Sequence, residues 1–159
     1  MDRKFLLFNA DECIGCSACE VACKQEHDLP AGVHWIRIRK LGPTHVGGKL
    51  MMSFAAVRCM HCAKLRCKDV CPAEAISKRP DGIVLFDENL CTGCKACIEA
   101  CPFGAPQVHP DRTIVQACDL CVHRTDKGLK PSCAHHCPTE ALTFGDCNLF
   151  PSRIRGRNA

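Results

Sequence analysis

Short apolar runs recur along this chain, and each gives way within a few residues to polar positions and then to cysteines. "FLLFNADEC" (5–13) and "IVLFDENLC" (83–91) align without a gap. Both read as an apolar strand, a short acidic turn and the start of a cysteine-rich loop. "FAAVRC" (54–59) and "TIVQAC" (113–118) place weaker strands before two further cysteine groups, and "CPAEAI" (71–76) after one group matches "CPTEAL" (137–142) after another. The repeating unit is strand, cysteine loop, short helix. Asp81 and Gly82 mark a turn before a strand over 83–86. "HWIRIRK" (34–40) alternates like an exposed strand with Trp35, Ile36 and Ile38 apolar, and "GPTHVGG" (42–48) reads as a loop. The tail "PSRIRGRNA" (151–159) is read as disordered or laid along a partner. Its Arg153, Arg155 and Arg157 suit an acidic surface or a solvated end equally.

The cysteines fall into four groups of four. Group one is Cys13, Cys16, Cys19 and Cys23. Group two is Cys59, Cys62, Cys67 and Cys71. Group three is Cys91, Cys94, Cys97 and Cys101. Group four is Cys118, Cys121, Cys133 and Cys137, with eleven residues between its second and third members. These use sixteen of the seventeen cysteines and leave Cys147, read as a free or packed thiol. A disulfide scaffold would need an oxidising compartment. The opening "MDRKFLLFNADEC" has no apolar signal core, cleavage site or twin arginine, and Cys13 already belongs to a group. Structural zinc takes four ligands, commonly as two separated pairs. Only group four has that spacing; the others crowd four thiols too closely.

Iron–sulfur chemistry accounts for the spacing. C-x2-C-x2-C-x3-C-P, present as "CTGCKACIEACP" (91–102), is the bacterial ferredoxin run, whose fourth cysteine serves the other cluster of a pair. Two-residue gaps wrap three thiolates around one cube, and Gly15 and Gly93 let the backbone come close. The three-residue step is about one helical turn. It carries the fourth cysteine towards a neighbouring cube, and proline then ends the helix. His61, between Cys59 and Cys62, is read either as a hydrogen-bond donor to a cluster sulfur or as ordinary loop packing. His135 and His136, between Cys133 and Cys137, could ligate a cluster, since histidine ligation occurs, but four cysteines already supply that group and the ligand reading is the minor one.

On these motifs, from Cys13 to "CPTEAL", the chain resembles the four-cluster ferredoxin-type electron-transfer subunits of molybdenum and tungsten oxidoreductases. Relatives of that kind include the iron–sulfur subunits of dimethyl sulfoxide reductase, polysulfide reductase, formate dehydrogenase and formate hydrogenlyase. Its short form resembles the small subunits of tungsten-containing aldehyde oxidoreductase and of benzoyl-CoA reductase complexes. The resemblance implies an α+β fold of two bacterial-ferredoxin-like units, one inserted in the other, with small two-stranded sheets and short helices around four 4Fe–4S clusters. The outer unit would take residues 1–50 and 112–159, and the inserted unit 51–111. The strand 5–8 would then pair with 141–144, joining the chain ends.

Crossing of each fourth cysteine implies four ligand sets. These are Cys13, Cys16, Cys19 with Cys137; Cys118, Cys121, Cys133 with Cys23; Cys59, Cys62, Cys67 with Cys101; and Cys91, Cys94, Cys97 with Cys71. The rival is sequential pairing of groups one with two and three with four. The 35-residue gap between Cys23 and Cys59 makes that less natural, against only 19 residues between groups two and three.

Charge and hydropathy narrow the role. The formal charge is +4. Four oxidised clusters at about −2 each take it to about −4, so much of the Lys and Arg excess reads as counter-charge rather than as a nucleic-acid footprint. No stretch approaches ~18 consecutive apolar residues, and a cytoplasmic location is expected. There is no nucleophile–base pair, phosphate loop or paired-carboxylate pattern, so no catalytic residue is assigned. The expectation is a non-catalytic electron relay. By resemblance, it runs between a molybdenum or tungsten pterin catalytic subunit and a flavin subunit, a membrane quinone subunit, a hydrogenase or a ferredoxin. The alternatives are a free polyferredoxin, or the electron-transfer subunit of a carbon monoxide dehydrogenase, formate dehydrogenase or hydrogenase complex. A redox-sensing nucleic-acid regulator is disfavoured by the even spread of cations. An apoprotein with no tyrosine and one tryptophan is expected not to fold.

Overall fold

A computed structural model describes residues 3–146. Cys147 and the basic tail, for which the sequence suggested a thiol and a partner strip, lie outside the described residues. Among the described residues there are four separate two-stranded antiparallel sheets, connected by loops and short helices.

β1 (Lys4–Phe8) pairs with β8 (Leu142–Asp146), the last described strand. The register runs from Phe8 opposite Leu142 to Lys4 opposite Asp146, and Lys4 Nζ closes the open end on Asp146 Oδ1 at 2.6 Å. The alternation buries Leu6 and Leu142 and leaves the other face half-exposed. Strand 5–8 and the segment after the last cysteine group do therefore meet.

β2 (Ile36–Val46) and β3 (Lys49–Arg58) form a long hairpin. The sequence suggested a loop over 42–48, but the strand continues to Val46 and only Gly47 and Gly48 turn. Both have positive φ (56° and 78°), the condition for a two-residue hairpin turn that matches strand twist. The Gly-Pro pair at 42–43 that signalled a loop instead coincides with a register shift between Leu41 and Thr44. Proline, which has no N–H to give the ladder, is tolerated at such an irregularity. The inner half of the hairpin is the buried half, with Ile36 only 2% exposed and Leu50 at the tip 64% exposed.

β4 (Ile76–Lys78) pairs with β5 (Val84–Phe86) across the Asp81–Gly82 turn. β6 (Gln107–Val108) pairs with β7 (Val115–Gln116), so the apolar run 113–118 contributes only two ladder residues. α1 (Ala18–Glu26) is nine residues long. α2 (Arg66–Asp69), α3 (Ala96–Glu99), α4 (Val122–Thr125) and α5 (Ser132–His135) are single turns. α2, α3 and α5 stop just before Pro72, Pro102 and Pro138, because the residue before a proline is pushed out of the helical region.

The core is split in two. Leu6, Ile36, Ile83, Leu120 and Leu142 pack with Cys19, Cys23, Cys118 and Cys133, and Cys59 and Cys137 lie against them. Ile76, Val84 and Val115 pack with Cys97, and Cys67, Cys71 and Cys91 lie against those. Apart from Cys59, the cysteines of the first core come from groups one and four, and those of the second from groups two and three.

The loop glycines serve the chain's own packing. Gly15 and Gly93 both hold left-handed φ (68° and 67°). A Cβ on Gly15 would fall on the Phe54 ring, and one on Gly93 would meet the Thr113 carbonyl oxygen at 2.6 Å. Gly93→Ala is therefore expected to cost about 1–2 kcal/mol for the backbone alone, with the Thr113 collision added. Gly104→Ala, at φ 58° with nothing near its Cβ, isolates the backbone part. Thermal bleaching of the visible cluster absorbance should place Gly93→Ala below Gly104→Ala; equal losses would mean that Thr113 yields freely.

Candidate metal centres

The cysteine loops present their sulfurs by a shared local device. Ser17, Lys95 and Cys121 each adopt left-handed φ (59°, 67° and 51°) immediately before α1, α3 and α4. The reversal turns the loop back, and α1 and α3 then carry the next cysteines, Cys19 and Cys23 on α1 and Cys97 on α3. Cys19 and Cys23 on α1 are four residues apart and share a helix face.

Among the described residues, three cavities are lined by cysteines from different groups. Cys13, Cys16, Cys19 and Cys137 share one, walled by Phe8, Ile38 and Leu142. Cys71, Cys91, Cys94 and Cys97 share the second, walled by Ile76, Phe86 and Val115. Cys62, Cys67 and Cys101 share the third with Leu65 and Pro102. Cys59 is in electrostatic reach of Cys67 and Cys62. Cys23 meets Cys118, Cys133 and Cys121 in the same way.

The electrostatics of these groups fit a metal centre. Burial, reinforced by neighbouring acidic groups, pushes the Cys19 and Cys118 thiols up to about 12. Burial likewise takes Cys59 to about 12, and Cys97 and Cys121 to about 11. Cys23 and Cys133 are raised further, by burial and then by the thiols they face. Thiolates packed this closely in apolar surroundings need cations to balance them, and thiolate is the form that binds metal. Backbone amides already point at sulfur. Val115 N–H donates to Cys91 Sγ at 3.3 Å and Leu120 N–H to Cys118 Sγ at 3.5 Å. A donor set of sulfurs alone, in apolar walls with amide hydrogen bonds, suits iron–sulfur clusters.

The histidines separate into different roles. His61 is 3% exposed, and its Nδ1 accepts the Val84 N–H at 2.9 Å. Burial, with Arg58, Lys78 and Arg3 nearby, pulls it down to about 3, so it is neutral with its proton on Nε2. It therefore ties the group-two loop to β5. His136 donates from Nδ1 to the Ser132 carbonyl at 2.9 Å, and His135 packs edge-on against it at 5.0 Å. Both serve the α5 turn.

Two residues escaped the sequence reading. Arg58 is 5% exposed and donates to the Leu6 carbonyl and, at 2.9 Å, to the Cys59 carbonyl. Burial holds its guanidinium below the ordinary arginine range, against the opposing pull of the Cys118, Cys133 and Cys59 thiols. Its signal was a charge inside the apolar run "FAAVRC". His27 Nε2 lies 3.2 Å from Cys121 Sγ; four-residue spacing from Cys23 was the only clue. Lys78 Nζ also donates to the Cys62 carbonyl at 2.6 Å.

Comparison with known proteins gives this geometry a family. Residues 50–147 match a 4Fe-4S dicluster domain, and residues 12–75 match another. A putative dimethyl sulfoxide reductase iron-sulfur subunit of Halobacterium salinarum is 35% identical, over 94% of this chain and 68% of its own length. A polysulfide reductase subunit of Wolinella succinogenes is 36% identical over 97% and 82%, and the formate dehydrogenase iron-sulfur subunit of the same organism is 38% identical over 94% and 86%. Two dicluster domains, in a chain with sixteen grouped cysteines, mean four 4Fe–4S clusters. The protein belongs to the family of iron–sulfur electron-transfer subunits that includes those of dimethyl sulfoxide reductase, polysulfide reductase and formate dehydrogenase, and it is a non-catalytic subunit.

Proposed function

We propose that the chain relays single electrons along a linear row of four clusters held in the crossed ligand sets, between a molybdenum or tungsten pterin catalytic subunit and a second redox partner. Each bound cluster supplies one-electron chemistry; the protein's part is to hold the clusters close and set their potentials. In a fold of this size, with a radius of gyration of roughly 15 Å, four cubes are neighbours.

The observation that carries the order is how the sets abut. Cys19, with Cys13, Cys16 and Cys137, is in electrostatic reach of Cys133. Cys118, of the set with Cys121, Cys133 and Cys23, acts on Cys59. Cys67, of the set with Cys59, Cys62 and Cys101, acts on Cys97, which belongs with Cys91, Cys94 and Cys71. The row thus starts at the set of Cys13 and finishes at the set of Cys91. The exposed cysteines, Cys16 and Cys94, belong to these two terminal sets. Ile14 (63% exposed) and Leu90 (53%) offer apolar surface beside them for partners.

In this reading the sets of Cys13 and Cys118 make the outer ferredoxin-like unit (1–50 and 112–159), closed by β1–β8. The other two make the inserted unit (51–111), closed by β4–β5, and the chain passes between units along β3. The catalytic partner is proposed to be of the tungsten aldehyde oxidoreductase type, with a flavin subunit or ferredoxin at the far end. A cytoplasmic location suits sixteen thiols that must be reduced when clusters are assembled. No helix among the described residues is long and apolar enough to cross a membrane.

Affinity purification of the tagged chain from its anaerobic host tests this. A larger pterin-containing subunit should co-elute, and that subunit's substrate should reduce the clusters. Recovery of the chain alone, fully loaded, would support a free polyferredoxin instead. The isolated chain should accept electrons from a strong reductant and turn over no aldehyde, formate or acyl-CoA; measurable turnover would contradict the relay role.

A further inference from the structure

We propose that His27 is a potential-setting residue, donating an Nε2–H hydrogen bond to Cys121 Sγ and so raising the reduction potential of the one cluster that Cys121 holds. The inference rests on the proposed ligand sets, in which Cys121 shares a cluster with Cys118, Cys133 and Cys23.

The geometry leaves Nε2 one good acceptor. Cys121 Sγ is at 3.2 Å, within reach for a sulfur acceptor, whereas Asp119 Oδ1 is at 3.7 Å, beyond hydrogen-bond range. That Asp119 oxygen already accepts the Cys121 N–H at 2.8 Å. A metal-bound thiolate has no proton to give, so a hydrogen bond at this distance needs the proton on Nε2, as the Nε2–H tautomer and the imidazolium both provide.

The ring is held in place from several sides. His27 caps α1, with its N–H on the Cys23 carbonyl at 3.2 Å. Cys23 and His27 are four residues apart, so the helix that delivers one ligand of this cluster also delivers the donor to another. Trp35 packs against the imidazole at 4.4 Å and His123 meets it edge-on at 5.4 Å, leaving the side chain 9% exposed. His123 is itself held by Glu26 at 2.6 Å. A hydrogen bond to a ligand sulfur draws off negative charge and favours the reduced cluster, which carries one charge more. The low-dielectric surroundings strengthen it.

The test is a potentiometric titration of the four-cluster protein, followed by electron paramagnetic resonance, for wild type, His27→Leu and His27→Gln. In His27→Leu one midpoint should fall, by about tenfold in its one-electron reduction equilibrium, equivalent to about 59 mV. The other three should hold. His27→Gln, which keeps an N–H donor, should recover part of the shift. Four unchanged midpoints in the Leu variant would overturn the proposal.

Should His27→Leu lose iron, pulsed resonance of wild-type protein labelled with 15N-histidine decides instead. A histidine nitrogen coupling to one reduced cluster, absent in His27→Gln, supports the bond; no such coupling overturns it. His27, Asp119 and His123 also bring donor atoms within 4.8 Å of one another. Stoichiometric zinc that disappears in His123→Ala would assign His27 to a separate cation and likewise overturn the proposal. Cys121→Ser separates a failure of the ligand set from a failure of the hydrogen bond. It should alter the same cluster signal as His27→Leu. If it alters none, the ligand assignment has failed, independently of His27.

Discussion

Removing iron from the holoprotein with a chelator, under anaerobic reducing conditions, is expected to unfold the chain. The described structure has four sheets of two strands each, and an isolated two-stranded sheet is marginal in water. The second core has only Ile76, Val84, Val115 and Cys97 buried in it. Cysteines make up much of both cores, so the apolar residues form a shell around the thiols rather than a continuous interior. Binding energy of structural metals becomes folding energy when no preformed core exists without them. Far-ultraviolet circular dichroism and fluorescence of Trp35, the single tryptophan, should report the collapse together as iron is withdrawn. A chain that keeps its circular dichroism and its protease resistance after complete iron removal would show that the polypeptide core suffices.

Arg58→Ala is expected to be the most damaging substitution outside the cysteines. The guanidinium is buried, holds the carbonyls of Leu6 and Cys59, and sits among the thiols of Cys118, Cys133 and Cys59. In the proposed row those thiols belong to the two sets that meet at its middle. Truncation removes a cation from among these thiols and takes away the donor that the Leu6 and Cys59 carbonyls share. Breaking a buried charge pair by removing one member costs about 3–5 kcal/mol. Arg58→Lys keeps the charge but not the fork that reaches two carbonyls, so it should fall between wild type and alanine. Iron content and thermal bleaching, measured side by side, check the order. Full iron and unchanged bleaching in Arg58→Ala would mean that the charge between the clusters is dispensable.

Much of this was legible because cluster binding is written in local spacing. The four groups and the strand before each could be read from one line of sequence, whereas the meeting of strand 5–8 with the segment after Cys137 was implied by the family resemblance. The hairpin was less legible. Gly42 and Pro43 carry a strong loop signal, yet the strand resumes beyond them, since a register shift absorbs both residues. The run 113–118, read as a weaker strand, pairs over only two residues, opposite the two-residue β6. Arg58 and His27 were missed for a different reason. Their partners, Leu6 and Cys121, are 52 and 94 residues away, and no periodicity encodes a contact over such distances. His61 showed itself only as a residue inside a ligand loop; its bond to Val84 depends on β5 returning beside group two.

The central claim is the crossed row of four clusters, and an iron-edge anomalous difference map from anaerobically grown crystals tests it most directly. The account predicts four cubes, sixteen iron atoms for the sixteen cysteines, with Cys23 on the cube of Cys118, Cys121 and Cys133, and Cys71 on that of Cys91, Cys94 and Cys97. Cys23 on the cube of Cys59, Cys62 and Cys67, or only two cubes in intact protein, would contradict it.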